Sequence, residues 1–167
     1  DEGERFFDFG AIDESPASQA FPIKNSAPEI VWNDISVLPE ISLPVTTVGW
    51  DVTDLDGNET ITQIQIALND TTEYLSLPGS TRLVSLIIDD LESESPSLNI
   101  YINADENKIY GEKLKNLQLN DNNRLFIKGV DNSGASSKFV ALPDTGKNWF
   151  VVKPNGNLLI IDDFIGG

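Results

Sequence analysis

Short runs in which apolar and polar residues alternate, separated by Asn, Asp, Gly and Pro, restrict this chain to sheet. Val48, Trp50 and Val52 alternate with Gly49 and Asp51, the period of two that puts successive side chains on opposite faces of a strand. The clearest run places Ile64, Ile66 and Leu68 on one face and Gln63, Gln65 and Asn69 on the other. Between these two runs, Asp54-Leu55-Asp56-Gly57-Asn58 supplies a turn, because Asp-Gly tolerates the positive φ of tight hairpins. The same pattern predicts strands at Tyr74–Leu77, Leu83–Ile88, Leu98–Ile102, Leu125–Val130, Phe139–Leu142, Trp149–Val152 and Leu158–Ile161. Many short strands with such punctuation favour a sandwich or barrel over an α/β fold. Helical signal is confined to Glu106–Leu119, where Ile109, Leu114 and Leu117 allow a short turn or helix that Gly111 weakens.

The chain has 167 residues, room for one ordinary domain with appendages. It contains no Cys, Met or His. That removes disulfides, thiol chemistry, Cys- or His-built zinc sites and imidazole acid–base catalysis. A formal net charge of −16 repels phosphate backbones and anionic lipid, which argues against nucleic-acid and membrane-surface roles. No apolar run approaches the ~20 residues that span a bilayer. The sequence opens on Asp1 without a leader pattern and stops at Gly167 just after an apolar run, so it reads as a processed product or a piece of a longer polypeptide.

Residues 26 to about 143 resemble the fibronectin type III and related immunoglobulin-like modules of bacterial and phage surface proteins. Ser26-Ala27-Pro28-Glu29-Ile30 is similar to a Pro-containing first strand, and Val48-Gly49-Trp50-Asp51 to a second strand whose Trp closes one end of the core. Asp54-Leu55-Asp56-Gly57, followed by Ile61-Thr62-Gln63-Ile64-Gln65-Ile66, is similar to the turn and third strand. The best match spans Leu119 to Ser137, through Leu119, Leu125, Ile127, Gly129, Asp131, Gly134 and Ser136. Leu125 stands where the family has a Tyr, which leaves only that residue's packing role. The stretch Asn69–Leu117 is long for the family and implies an inserted hairpin or extra strands, Leu98–Ile102 with Lys108–Tyr110. The resemblance implies an all-β, immunoglobulin-like antiparallel sandwich. It implies nothing about activity, since its motifs are packing motifs.

Outside that core the sequence divides further. Residues 1–26 read as an extended arm, with Pro16 and Pro22 among small and acidic residues. Phe6, Phe7 and Phe9 in this arm are partner-contact candidates, because clustered Phe side chains are costly to leave in water. Residues 27–153 form the expected sandwich. Residues 154–167 hold Leu158-Leu159-Ile160-Ile161, apolar on both faces and followed by Asp162-Asp163. That run reads as a last sandwich strand, a strand donated to a neighbour, or the opening of a following domain. Leu158 and Ile160 are its contact candidates.

An enzyme needs a nucleophile–base pair, a metal, a carboxylate pair or a cofactor cradle. Ser136, Ser137 and Lys138 are adjacent in an extended run, which sends neighbouring side chains to opposite faces and defeats a Ser–Lys pair. Gly129 to Gly134 lacks the following helix of a phosphate loop. Asp51, Asp54, Asp56, Asn58 and Glu59 gather hard oxygen ligands of the kind Ca²⁺ takes, although Gly57 breaks the EF-hand spacing and hairpin turns use Asp and Gly for conformation alone. Asp89-Asp90 with Glu92 and Glu94 reads as a solvated loop. Trp32, Trp50 and Trp149, with Tyr74, Tyr101 and Tyr110, are the rings on which a sugar would stack if they shared an exposed face. The expectation is a non-enzymatic structural or interaction module, a spacer, adhesion or decoration domain of an extracellular or virion-surface assembly. It has protein neighbours and no cofactor. The alternatives are a carbohydrate-binding module, with calcium as an optional ion, and a non-catalytic fragment of a larger secreted enzyme.

Overall fold

The computed structural model describes residues 24–103 and 109–156. The arm residues Phe6, Phe7 and Phe9, the C-terminal Leu158 and Ile160, and Lys108 of the expected hairpin lie outside the described residues. Among those described there is no α-helix; one 3-10 turn at Asn58–Thr60 is the sole helical element.

Among the described residues eleven strands run in chain order: β1 (Glu29–Trp32), β2 (Ile41–Ser42), β3 (Val45–Thr53), β4 (Ile61–Leu68), β5 (Tyr74–Pro78) and β6 (Leu83–Ile88), then β7 (Leu98–Ile102), β8 (Asp121–Asn122), β9 (Leu125–Asp131), β10 (Val140–Leu142) and β11 (Phe150–Val151). They form two four-stranded antiparallel sheets, β1-β3-β6-β7 and β10-β9-β4-β5. A small third sheet, β2-β11-β8, includes one parallel pair, β2 with β11. Both larger sheets turn their apolar sides into one shared core, since β1 contacts β9 and β10 of the opposite sheet.

The core follows from the alternation. Val48, Trp50 and Val52 are buried on β3, as are Ile64, Ile66 and Leu68 on β4 and Leu98 and Ile100 on β7. Trp50 is 0% exposed and donates its indole N–H to the Thr81 carbonyl at 3.0 Å, which satisfies the only polar atom of a side chain that buries so much apolar area. Trp32 meets Trp50 edge to face, with ring centroids 6.1 Å apart. Its own N–H donates to Val140 of β10 at 3.1 Å and closes the seam between the sheets. Trp149 is buried beneath the third sheet and donates to the Ser42 hydroxyl at 2.8 Å.

One expectation needs correction. The helix allowed within Glu106–Leu119 does not form in its described part; Ile109 instead bridges Tyr101, and Leu114 exchanges backbone hydrogen bonds with Leu98. Burying Leu114 and Leu117 along the edge of β7 uses the same apolar residues that suggested a helix. The expected pairing of Leu98–Ile102 with Lys108–Tyr110 is present in its described part, since Tyr110 also donates its amide to the Ile100 carbonyl, and β7 pairs in addition with β6 over its whole length. Gln65, on the face of β4 opposite Ile64 and Ile66, is only 7% exposed, so the outer side of β4 is itself covered.

Candidate functional site

Two groups of residues singled out in the sequence are placed where their bonding partners can be named. The acidic turn after β3 is held by its own side chains. Asp54 accepts from the Asp56 amide at 2.8 Å, Asn58 accepts from the Asp54 amide at 2.9 Å, and Asp56 accepts from the Ser26 amide at 2.7 Å. These are the bonds that make Asx-rich turns fold. They bring Asp54, Asp56 and Asn58 together, while one carboxylate oxygen of Asp54 is buried without a partner. Asp51 stands apart on the outer side of β3, opposite Val31, where its charge counters the fall that burial imposes on the Arg82 guanidinium pKa. Glu59 folds back over Gly57. Among the described residues, no group of three or more His, Cys, Asp or Glu side chains is placed to hold a metal ion.

The second group is the aromatic set. Trp50 and Trp149 are core residues, Trp32 is half-buried at the sheet seam, and Tyr101 and Tyr110 are half-buried elsewhere. They share no exposed face. Tyr110 donates to the Ser76 carbonyl on the edge of β5 and blunts that edge.

A different surface emerges from strand register. Ala67 of β4 faces Phe126 of β9 and Tyr74 of β5, and Gln65 faces Lys128 and Ser76; directly opposed residues share a face. This is the side of β10-β9-β4-β5 that points away from the core. Phe126 and Phe139 meet edge to face at 6.5 Å, Tyr74 and Phe139 lie 6.4 Å apart, and Tyr74 is 46% exposed. The Lys128 ammonium sits 4.9 Å from the Phe139 ring centroid and 5.9 Å from that of Tyr74, within the range of cation–π attraction. Gln65 lies on the same face, with its side-chain oxygen buried and unpartnered. Outward sheet faces are usually polar, so three rings around a lysine are out of place there. Sequence reasoning missed this cluster because Phe126 lies on β9 and Phe139 just before β10, in runs whose alternation marks the other side as core. A readable signal was Phe126-x-Lys128, the polar phase of β9 occupied by a ring.

Next to it lies a hollow of about 280 Å³, lined by Asn69, Asn122, Asn123, Arg124, Phe126, Lys147 and Asn148. Two larger hollows, of about 740 and 640 Å³, flank the strap at Gly111–Gln118 and carry carboxylates, Glu73 and Glu112 in one, Asp70 and Glu94 in the other.

Asp131, at the far end of β9, is buried. Asn25 is the main cause of its lowered carboxyl pKa, and the backbone amides of Ala135, Ser133 and Gly134 hold it down further. Those bonds fasten the chain entering β1 to the β9–β10 turn, which is a structural task. Compared with family models, with curated proteins and with solved structures, the chain finds no match.

Proposed function

We propose that the chain is a non-enzymatic structural or interaction module of the immunoglobulin-like, fibronectin type III kind, working as a spacer, adhesion or decoration domain in an extracellular or virion-surface assembly. The strand order supports the fold part of this reading. β1, β3 and β6 on one side, with β10, β9, β4 and β5 on the other, follow the A-B-E and G-F-C-C′ order of such modules, and β7 is an added edge strand. The observation that carries the functional part is the outward cluster of Tyr74, Phe126 and Phe139 around Lys128. Aromatic rings offer large contact area at small entropy cost and are enriched where proteins meet. A rigid sandwich holds them at fixed spacing.

Hydroxyl-radical footprinting of the native assembly against the isolated chain tests the reading. Tyr74, Phe126 and Phe139 are expected to oxidise about fivefold more slowly in the assembly, as a neighbour excludes water from them. Equal oxidation in both samples sinks it.

A further inference from the structure

The hollow beside Phe126 carries a separate inference, which goes beyond the interaction module because contacts between neighbours through Tyr74 require no ligand. The chain holds 27 acidic and 11 basic residues, so a random surface hollow is expected to carry carboxylates, as both larger ones do. None of the seven residues lining this one is acidic, and two are cations. The Arg124 guanidinium has no ion-pair or hydrogen-bond partner among the described residues, and the side-chain amides of Asn122 and Asn148 make no hydrogen bond there either. Lys147 leans toward Asp144 at 3.6 Å, but both side chains are more than two thirds exposed, and such a pair holds weakly enough for another anion to displace it.

The floor is rigid. Asn69 and Asn123 bond to one another at 2.8 Å, Asn123 also donates to the Gln118 and Asp121 carbonyls, and Asn69 accepts from the Arg124 amide. With those two amides committed to the fold, the donors of Arg124, Asn122, Asn148 and Lys147 line the hollow beside one apolar wall, Phe126.

We propose that this hollow binds a carboxylate-bearing sugar residue of the uronic-acid type. Arg124 offers the planar fork that matches a carboxylate. The two exposed asparagine amides each present donors and an acceptor, which suits ring hydroxyls that both give and take hydrogen bonds. Phe126 takes the C–H face of the ring. The volume suits a single ring, not a length of peptide. The acidic remainder of the surface limits how far a polyanion extends from the hollow, which favours a short or terminal acidic sugar.

Side-chain and backbone NMR shifts of the full chain are the test, with glucuronate, galacturonate, glucose, galactose and hexaglutamate as probes. Glucuronate or galacturonate is expected to move the Asn122 and Asn148 amide signals and the Arg124 Nε signal at low salt. Arg124→Gln and Lys147→Gln are each expected to weaken binding about tenfold, as the loss of a charge-assisted hydrogen bond implies. Lys115→Gln, which removes a cation outside this hollow, is expected to leave it unchanged. Equal shifts with glucose or galactose, tighter binding of hexaglutamate, or no response to any probe overturn the proposal. Unaltered binding in both Arg124→Gln and Lys147→Gln, with the fold intact, does so as well. None of these outcomes bears on whether Tyr74 and Phe139 are shielded in the assembly, so the two readings fail separately.

Discussion

A methyl group added at position 79 would lie 2.1 Å from the Ile61 carbonyl oxygen, a backbone atom that cannot swing aside. Gly79 also donates to the Thr62 carbonyl at 3.0 Å, so the β5–β6 loop is clamped to the start of β4. Gly79→Ala is expected to cost about 3 kcal/mol in urea unfolding, near the upper end for forced overpacking. Gly134 has φ +86° with open space around its missing side chain, so Gly134→Ala carries the left-handed penalty alone, about 1–2 kcal/mol. A reversed order of the two would mean that the loop around Gly79 relaxes easily. Asp131 adds a pH dependence with a definite sign. Its folded carboxyl pKa lies below the ordinary value, so its stabilisation is complete above about pH 4 and is lost as pH falls through the folded pKa. Asp131→Asn is therefore expected to flatten the acid limb of Tm against pH, read by circular dichroism. An unchanged acid limb in that variant would assign the acid sensitivity to other carboxylates, with Asp70 and Asp89 next in line, as both are also held low by hydrogen bonds.

At the scale of elements, the strap from Gly111 to Arg124 is the part of the fold whose order comes least from regular structure. It runs past β7 and β4 with two apolar anchors, Leu114 and Leu117, and is pinned by asparagines. Asn69, Asn116 and Asn120 adopt positive φ, at 63°, 71° and 59°, which asparagine tolerates better than most residues. Asn123 is 4% exposed and its amide makes four hydrogen bonds across the strap. Asn123→Ala leaves several of those partners unpaired and is expected to cost about 1–3 kcal/mol, with hydrogen exchange speeding up first at Gln118 and Arg124. Uniform acceleration across β3 and β9 instead would mean that the strap unfolds only with the whole molecule. Strands β3, β4, β6, β7 and β9 were legible in the sequence because each carries an apolar phase that it buries in the core, although β4 also buries Gln65 and Ala67 on its other side. The strap was not legible, because its order depends on side chains from Asn69 and Asn123, 54 positions apart. No local period marks such a contact. The two-residue strands β2 and β8 carry too few residues to show a period at all.

Charge acts on the molecule as a whole, and here its two roles have opposite signs. The sequence made the net charge of −16 plain, but not where the few cations fall. Arg124 and Lys147 reach one hollow from the start of β9 and from the loop before β11, and only the fold brings them together. Against 27 acidic residues, the ion pairs found among the described residues are surface ones, Lys113 with Asp89, Lys147 with Asp144 and Lys153 with Glu92, and each is worth little. Self-repulsion among the remaining carboxylates opposes the compact state, and it reaches across the molecule when the screening length is about 30 Å, as at 10 mM salt. Raising NaCl to about 300 mM cuts that length below about 8 Å. Tm is therefore expected to rise by a few °C over this range in a calorimetric scan, while uronate binding at Arg124 weakens over the same range. A Tm that falls with added salt would show that the three surface pairs outweigh the repulsion, and that the excess acid is dispersed widely enough to cost the fold nothing.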